Sequence, residues 1–299
     1  MQIGILEPSE FSRKAIESLN LMGDVILFDG DNLKEFLFEK EVIFVRLNYF
    51  LGEEILRYAK NLKYICSPTT GLNHIDVKYI NKKKINIISL KGENKFLSDI
   101  RATSEHTFGL ILSLLRNYRN SFISKENKFN RDLFKGFEIY NNKIGIIGFG
   151  RIGKLLSKYI KSFNGQCYFF DKDDNVISSN GAQKVDSIEE LIDRCNVICL
   201  CISYDNENQE FFNKDYIDRI KDKFFINTSR GELVDENHLI KRINESYFRG
   251  VALDVISNES RKTNNLKKFL KINKNKNFII TPHIGGATYT SMKRTEEFI

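Results

Sequence analysis

The sequence predicts an α/β architecture of two doubly wound parallel-sheet domains with a cleft between them, and three observations carry that prediction. Short apolar runs alternate with helix-patterned segments through residues 1–100, and a second series of the same kind starts at Ile144. Between the first strand of that second series and the helix that follows it stands a glycine turn, Gly148-Phe149-Gly150-Arg151-Ile152-Gly153.

In the first series, residues 3–6, 25–28, 42–45, 64–66 and 85–90 read as strands, short apolar runs that alternate with helical patterns as in a parallel α/β sheet. Residues 102–122 follow as a helix. Its stretch from Thr107 to Leu115 is apolar around much of its circumference, so it requires burial on several sides and suits a connector between domains. The second series places strands at 144–147, 166–171, 197–202, 224–227, 250–255 and 278–281, six in all. After Pro282, residues 286–299 read as a helix returning to the first domain. The expected division is a substrate domain at 1–101, completed by 286–299, with a dinucleotide-binding domain at 102–285 inserted between.

The glycine turn makes the second domain Rossmann-like, the first being its flavodoxin-like counterpart. Gly148 permits the tight turn, Gly150 lets the backbone approach a pyrophosphate, and Gly153 lets the helix pack close to the strand. The phosphates then face free N–H groups at a helix N-terminus. Asp171 ends the next apolar run, where a carboxylate can accept hydrogen bonds from ribose hydroxyls. Asp173 and Asp174 add negative charge that repels a 2′-phosphate, which selects NAD over NADP despite Lys172.

Composition bounds the function classes. Hydrophobic residues make up 41% and charged residues 28% of the 299, as in soluble globular domains. No apolar run approaches a membrane span, and Glu7 interrupts the N-terminal run, so neither an anchor nor a secretory signal is expected and a cytoplasmic location is. The net charge of +7 comes from scattered basic residues without interleaved exposed aromatics, which argues against nucleic acid and fits attraction of an anionic substrate and cofactor. The five cysteines lie mostly in apolar segments without metal-binding spacing, so reduced thiols and no metal are expected.

Three further segments follow strands of the second series: Asn227-Thr228-Ser229-Arg230-Gly231, Leu253-Asp254-Val255 leading to Glu259, and Thr281-Pro282-His283-Ile284-Gly285-Gly286. They bring an arginine, a carboxylate and a histidine to the sheet edge at which open parallel sheets bind ligands. With these residues the chain resembles the D-isomer-specific 2-hydroxyacid dehydrogenases, the phosphoglycerate dehydrogenase-like family, over nearly its whole length. The resemblance implies that Arg230 binds and polarises the substrate, that His283 is the acid/base, and that Glu259 pairs with it. It places Asp254 near the nicotinamide, with Thr228 and His283 also among the cofactor-binding residues. Around Glu259 the chain departs from the family, carrying Ile256, Ser257 and Ser260 where Phe, Glu or Pro, and Pro are usual. In the first domain, Thr70 and Gly71 resemble the loop whose backbone holds the substrate carboxylate, and Arg46 matches an arginine that phosphoglycerate dehydrogenases turn on their substrate.

The chemistry accounts for the set. Reducing a 2-oxo acid requires a hydride at the carbonyl carbon, a proton at its oxygen and a cation for the carboxylate. A guanidinium grips both oxygens with a planar fork, a histidine exchanges the proton near neutral pH, and a carboxylate orients its ring. The expected function is therefore NAD-dependent hydride transfer between a 2-oxo and a 2-hydroxy acid, and the resemblance implies a homodimer built partly on the region 102–122. The alternatives are an NAD(H)-sensing module of the corepressor type, which has no chemical need for Glu259 or His283, and formate or phosphite oxidation on the same scaffold. His74, His106 and His238 show no partner in sequence and read as structural. With the sequence ending at Ile299, no regulatory domain is expected.

Overall fold

Five apolar runs of the first series become the strands β1 (Gln2–Ile5), β2 (Asp24–Leu27), β3 (Val42–Phe44), β4 (Tyr64–Ser67) and β5 (Asn86–Ser89). They pair in parallel in the order β2-β1-β3-β4-β5, the flavodoxin-like winding. This computed structural model describes residues 1–124, 130–261, 263–272 and 276–299. The chain divides into two compact units, Met1–Ile100 with Ala287–Ile299, and Arg101–Gly286. Within the first unit the last helix spans Tyr289–Phe298. It starts three residues later than the sequence pattern suggests because the Thr288 hydroxyl caps it by accepting the Ser291 N–H at 3.1 Å. The Phe298 ring stacks on Phe96 at 3.9 Å, and Ile299 closes a small cluster with Leu90, Leu97 and Ile100.

The second unit contains β6 (Lys143–Ile147), β7 (Gln166–Phe170), β8 (Gln183–Lys184), β9 (Val197–Leu200), β10 (Phe224–Asn227), β11 (Gly250–Leu253) and β12 (Phe278–Ile280). All pair in parallel, in the order β12-β11-β10-β9-β6-β7-β8. Among the described residues this is one strand more than the apolar runs predict. The extra one, β8, is two polar residues held at the sheet edge by pairing with Tyr168 and Phe169, so it leaves no hydrophobic signal. Successive strand residues alternate between two buried clusters. Ile144, Ile146, Val197 and Cys199 enter one, and Ile147, Ile198 and Leu200 enter the other, as both-face burial of a parallel sheet requires. The helix Ala102–Leu115 belongs to the first cluster through Leu110, Ile111, Leu114 and Leu115.

The five cysteines are free, and burial pushes the Cys195 and Cys66 thiols up to about 12, so both stay protonated at neutral pH. Among the described residues no helix is long and apolar enough to cross a membrane.

Candidate active site

In the second unit the order of winding reverses at β6, with β7 on one side and β9 on the other. The crevice at such a switch point is where doubly wound sheets take their ligands. The glycine turn lies there, and its three glycines answer three separate steric demands. Gly148 has φ +94°, and a Cβ on it would stand 2.6 Å from the Cys201 carbonyl oxygen. A Cβ on Gly153 would stand 2.4 Å from the Gly148 carbonyl oxygen, so the helix Arg151–Ser162 can approach the turn only with glycine at that position. Above Gly150 there is nothing within 4 Å, which leaves the space a pyrophosphate needs. That helix has Gly150 as its N-cap, no side-chain cap bond and no acid in its first turn, so its leading N–H groups suit an anion.

Asp171 follows β7. Its carboxylate accepts the Phe149 N–H at 2.7 Å and the Asp173 N–H at 3.0 Å, which pins it beside the turn. The Phe149 side chain points into the core, fully buried and stacked on Phe169 at 3.7 Å, so only its backbone can face a ligand. Arg151 and Ile152 are half-buried. Burial holds the Arg151 guanidinium below its usual range.

Arg230 ends the loop after β10. Asn227, almost fully buried, wires that loop by accepting the Ser229 N–H at 2.9 Å and donating to the Arg230 carbonyl at 2.8 Å. Burial lowers the Arg230 guanidinium from its ordinary value, opposed by the nearby charges of Glu259, Glu232 and Asp254. Thr228 is buried, with its hydroxyl 2.8 Å from that of Thr107.

The histidine loop is built on Asp254. His283 has φ +53°, a left-handed conformation that costs a non-glycine residue energy and must be held in place. Its N–H donates to the Asp254 carbonyl at 2.8 Å, and the next two N–H groups, of Ile284 and Gly285, donate to the Asp254 carboxylate at 2.9 and 2.8 Å. The Thr281 hydroxyl donates to the same carboxylate at 2.6 Å, and His106 Nε2 lies 3.2 Å from it. Burial pushes the Asp254 carboxyl up, but the bonds from His106 and Thr281 outweigh it and the net shift is downward. The loop so held presents His283 Nδ1 to Glu259 Oε2 at 2.5 Å. Glu259 thus meets His283 despite its atypical neighbours.

Gly148, Gly150, Gly153, Asp171, Arg230, Asp254, Glu259 and His283 follow the C-terminal ends of β6, β7, β10, β11 and β12 and so share one edge of one sheet. Residues 108–285, more than half of the chain, match the family model described as D-isomer specific 2-hydroxyacid dehydrogenase, NAD binding domain. The chain belongs to this family.

Within the family it is 29% identical over 298 residues to D-3-phosphoglycerate dehydrogenase of Methanocaldococcus jannaschii, a match that takes in 97% of this chain and 55% of that protein. It is 29% identical over 260 residues to glyoxylate reductase of Thermococcus litoralis, covering 83% and 75% of the two chains. Among solved structures it resembles D-lactate dehydrogenase of Aquifex aeolicus complexed with NAD and lactic acid, at 26% identity and a TM-score of 0.80, covering 100% of this chain and 92% of that one. The chain therefore spans little more than half the length of the phosphoglycerate dehydrogenase it matches. NAD is the cofactor of the family's nucleotide-binding domain, and the open space over Gly150 and the uncapped helix fit it.

The remaining family-derived positions lie in the first unit, where β3 and β4 are aligned with Phe44 opposite Cys66, so Arg46 and the loop after Ser67 leave the same sheet edge. Arg46 is committed locally. Its Nη2 donates to the carbonyls of Glu7 and Ser9 at 2.6 and 2.8 Å, and its Nε lies 3.4 Å from Glu296. Glu7 in turn accepts the N–H groups of Arg46, Leu47 and Asn48. Thr70 is exposed, while Thr69 braces the loop by donating to the Gly71 carbonyl at 2.8 Å.

Three histidines show no partner in the sequence, and the structure supplies one for each. His106 joins Asp254, His238 lies 2.7 Å from Asp218, and His74 lies 3.2 Å from the Ser67 hydroxyl. Only His106 touches the histidine loop. Local pattern carries no signal for that contact, which joins two segments far apart in the chain.

Proposed function

We propose that the chain is an NAD-dependent oxidoreductase interconverting a 2-oxo acid and the corresponding D-2-hydroxy acid, and the observation that carries the reading is the 2.5 Å contact between Glu259 Oε2 and His283 Nδ1. A module that only sensed the cofactor would have no chemical use for a histidine held in a left-handed loop against a carboxylate. When bound, the nicotinamide supplies or accepts the hydride at the substrate's C2. Arg230 grips the substrate carboxylate and polarises the carbonyl with its planar fork. With Nδ1 engaged by Glu259, His283 Nε2 is the nitrogen that gives its proton to the carbonyl oxygen, and in oxidation it takes that proton from the hydroxyl. Glu259 fixes the ring orientation and stabilises the imidazolium. Asp254 holds the loop's geometry. In the first unit, Thr70 and Gly71 stay the proposed substrate-binding positions, whereas the local bonds of Arg46 favour a structural role for it. The reading includes a homodimer, which sedimentation of the purified protein tests directly.

The deciding assay is NADH oxidation by purified protein against glyoxylate, pyruvate, hydroxypyruvate, 3-phosphohydroxypyruvate and bulkier 2-oxo acids. One of them is expected to be reduced, with Arg230→Ala lowering kcat/KM by about a hundredfold or more. NADH binding without reduction of any acid would turn the assignment towards cofactor sensing. A second expectation concerns the ribose end. Asp171→Ala should weaken NADH binding by about tenfold and narrow the preference for NADH over NADPH, as read by fluorescence titration. An unchanged ratio of the two affinities would remove Asp171 from cofactor selection.

A further inference from the structure

Residues 256–259, which carry Glu259, form an irregular loop that contains no proline and includes Asn258 at φ +56°. Nothing in its own sequence makes it rigid. Three consecutive backbone N–H groups of this loop are nevertheless each taken by a glutamate carboxylate. Ile256 N–H donates to Glu259 Oε1 at 3.1 Å, Ser257 N–H to Glu236 Oε1 at 2.6 Å, and Asn258 N–H to Glu232 Oε1 at 3.2 Å. Glu236 is the strongest of these braces. It sits at the first position of the helix Glu236–Asn244, is only 6% exposed, and its second oxygen accepts Asn265 Nδ2 at 2.8 Å. Burial pushes its carboxyl up, only partly offset by the bonds from Asn265 and Ser257, so keeping a carboxylate there carries an electrostatic cost. Its two oxygens bridge the loop at Ser257 to Asn265, which fixes where the loop backbone lies.

We infer that Glu236 is a positioning residue for the proposed reaction, acting through the Ser257 N–H to hold Glu259 against His283. The inference rests on the functional reading above, and its test is built so that the two can fail separately. Glu236→Ala frees the Ser257 N–H and lets the Glu259 carboxylate drift, which should lower kcat by about tenfold with the KM for the acid and the affinity for NADH changed less than about twofold. Glu236→Gln keeps an acceptor for Ser257 and should recover most of the loss. In a Glu259→Ala background, Glu236→Ala should cost less than about twofold more, because its route of action is gone. A full tenfold loss in that background would overturn the inference, since it would mean a general structural effect.

A readout independent of turnover is the downfield proton resonance of His283 Nδ1–H held by Glu259, assigned by its absence in His283→Asn. It should shift or broaden in Glu236→Ala and persist in Glu236→Gln, and an unmoved resonance in Glu236→Ala would also overturn the inference. If the wild-type protein reduces no 2-oxo acid, the functional reading falls while this resonance still decides whether Glu236 positions Glu259. Should Glu236→Ala prove too unstable, Glu236→Asp withdraws the carboxylate by one methylene while keeping its charge and is read in the same way.

Discussion

Replacing His283 with alanine should lower turnover by about a hundredfold or more while leaving NADH affinity nearly intact. The separation of the two effects is what makes the result informative. The proposed dinucleotide cradle is the turn at Gly148, Gly150 and Gly153, the helix that follows it and Asp171, which come off β6 and β7, whereas His283 follows β12 at the other side of the sheet. Removing an imidazole there takes away a proton donor without touching the turn. The loop itself should survive, because the bonds that hold it run from backbone N–H groups to Asp254, not from the ring. Stopped-flow reduction of the preferred acid, with NADH binding followed by fluorescence, measures both quantities. Turnover that persisted in His283→Ala would take the histidine out of the mechanism, and lost NADH binding would mean that the loop had collapsed instead.

The second large effect is expected from Gly231→Ala. A Cβ on Gly231 would stand 1.9 Å from the Ile256 carbonyl carbon and 2.0 Å from the Ser257 nitrogen. Both obstacles are backbone, so no rotamer change relieves the clash. The loop bearing Arg230 and the loop bearing Glu259 would have to separate by more than an ångström. Overpacking of this kind should destabilise the second unit by about 3 kcal/mol, a fall in melting temperature of roughly 6–12 °C. Turnover should fall by about a hundredfold or more even below the melting transition, because the arginine and the acid/base pair no longer share a fixed geometry. An alanine variant that melted and turned over like the wild type would show that the two loops part freely, which would also weaken the case for Glu236 as a brace.

Much of the molecule was legible in one dimension because its signals are local. The glycine spacing, the strand before it and the helix after it lie within twenty or so residues, and each glycine's steric reason is a matter of its own turn. Short apolar runs alternating with helical patterns announce parallel strands, so the fold class and the runs that became β1 to β7 and β9 to β12 followed from periodicity. The motif residues Arg230 and His283 could be placed by resemblance at strand ends before any contact was known.

What tertiary structure alone decided are the pairings between distant segments. The strand order, the polar edge strand β8, the seating of His106 on Asp254 and the commitment of Arg46 to the carbonyls of Glu7 and Ser9 are of this kind. So are the glutamates that hold the loop of residues 256–259. A carboxylate reads the same in sequence whether it is solvated or buried against a backbone N–H. Only packing, which brings the two groups within about 3 Å and excludes water from between them, turns an ordinary acid into a partner for the proposed chemistry.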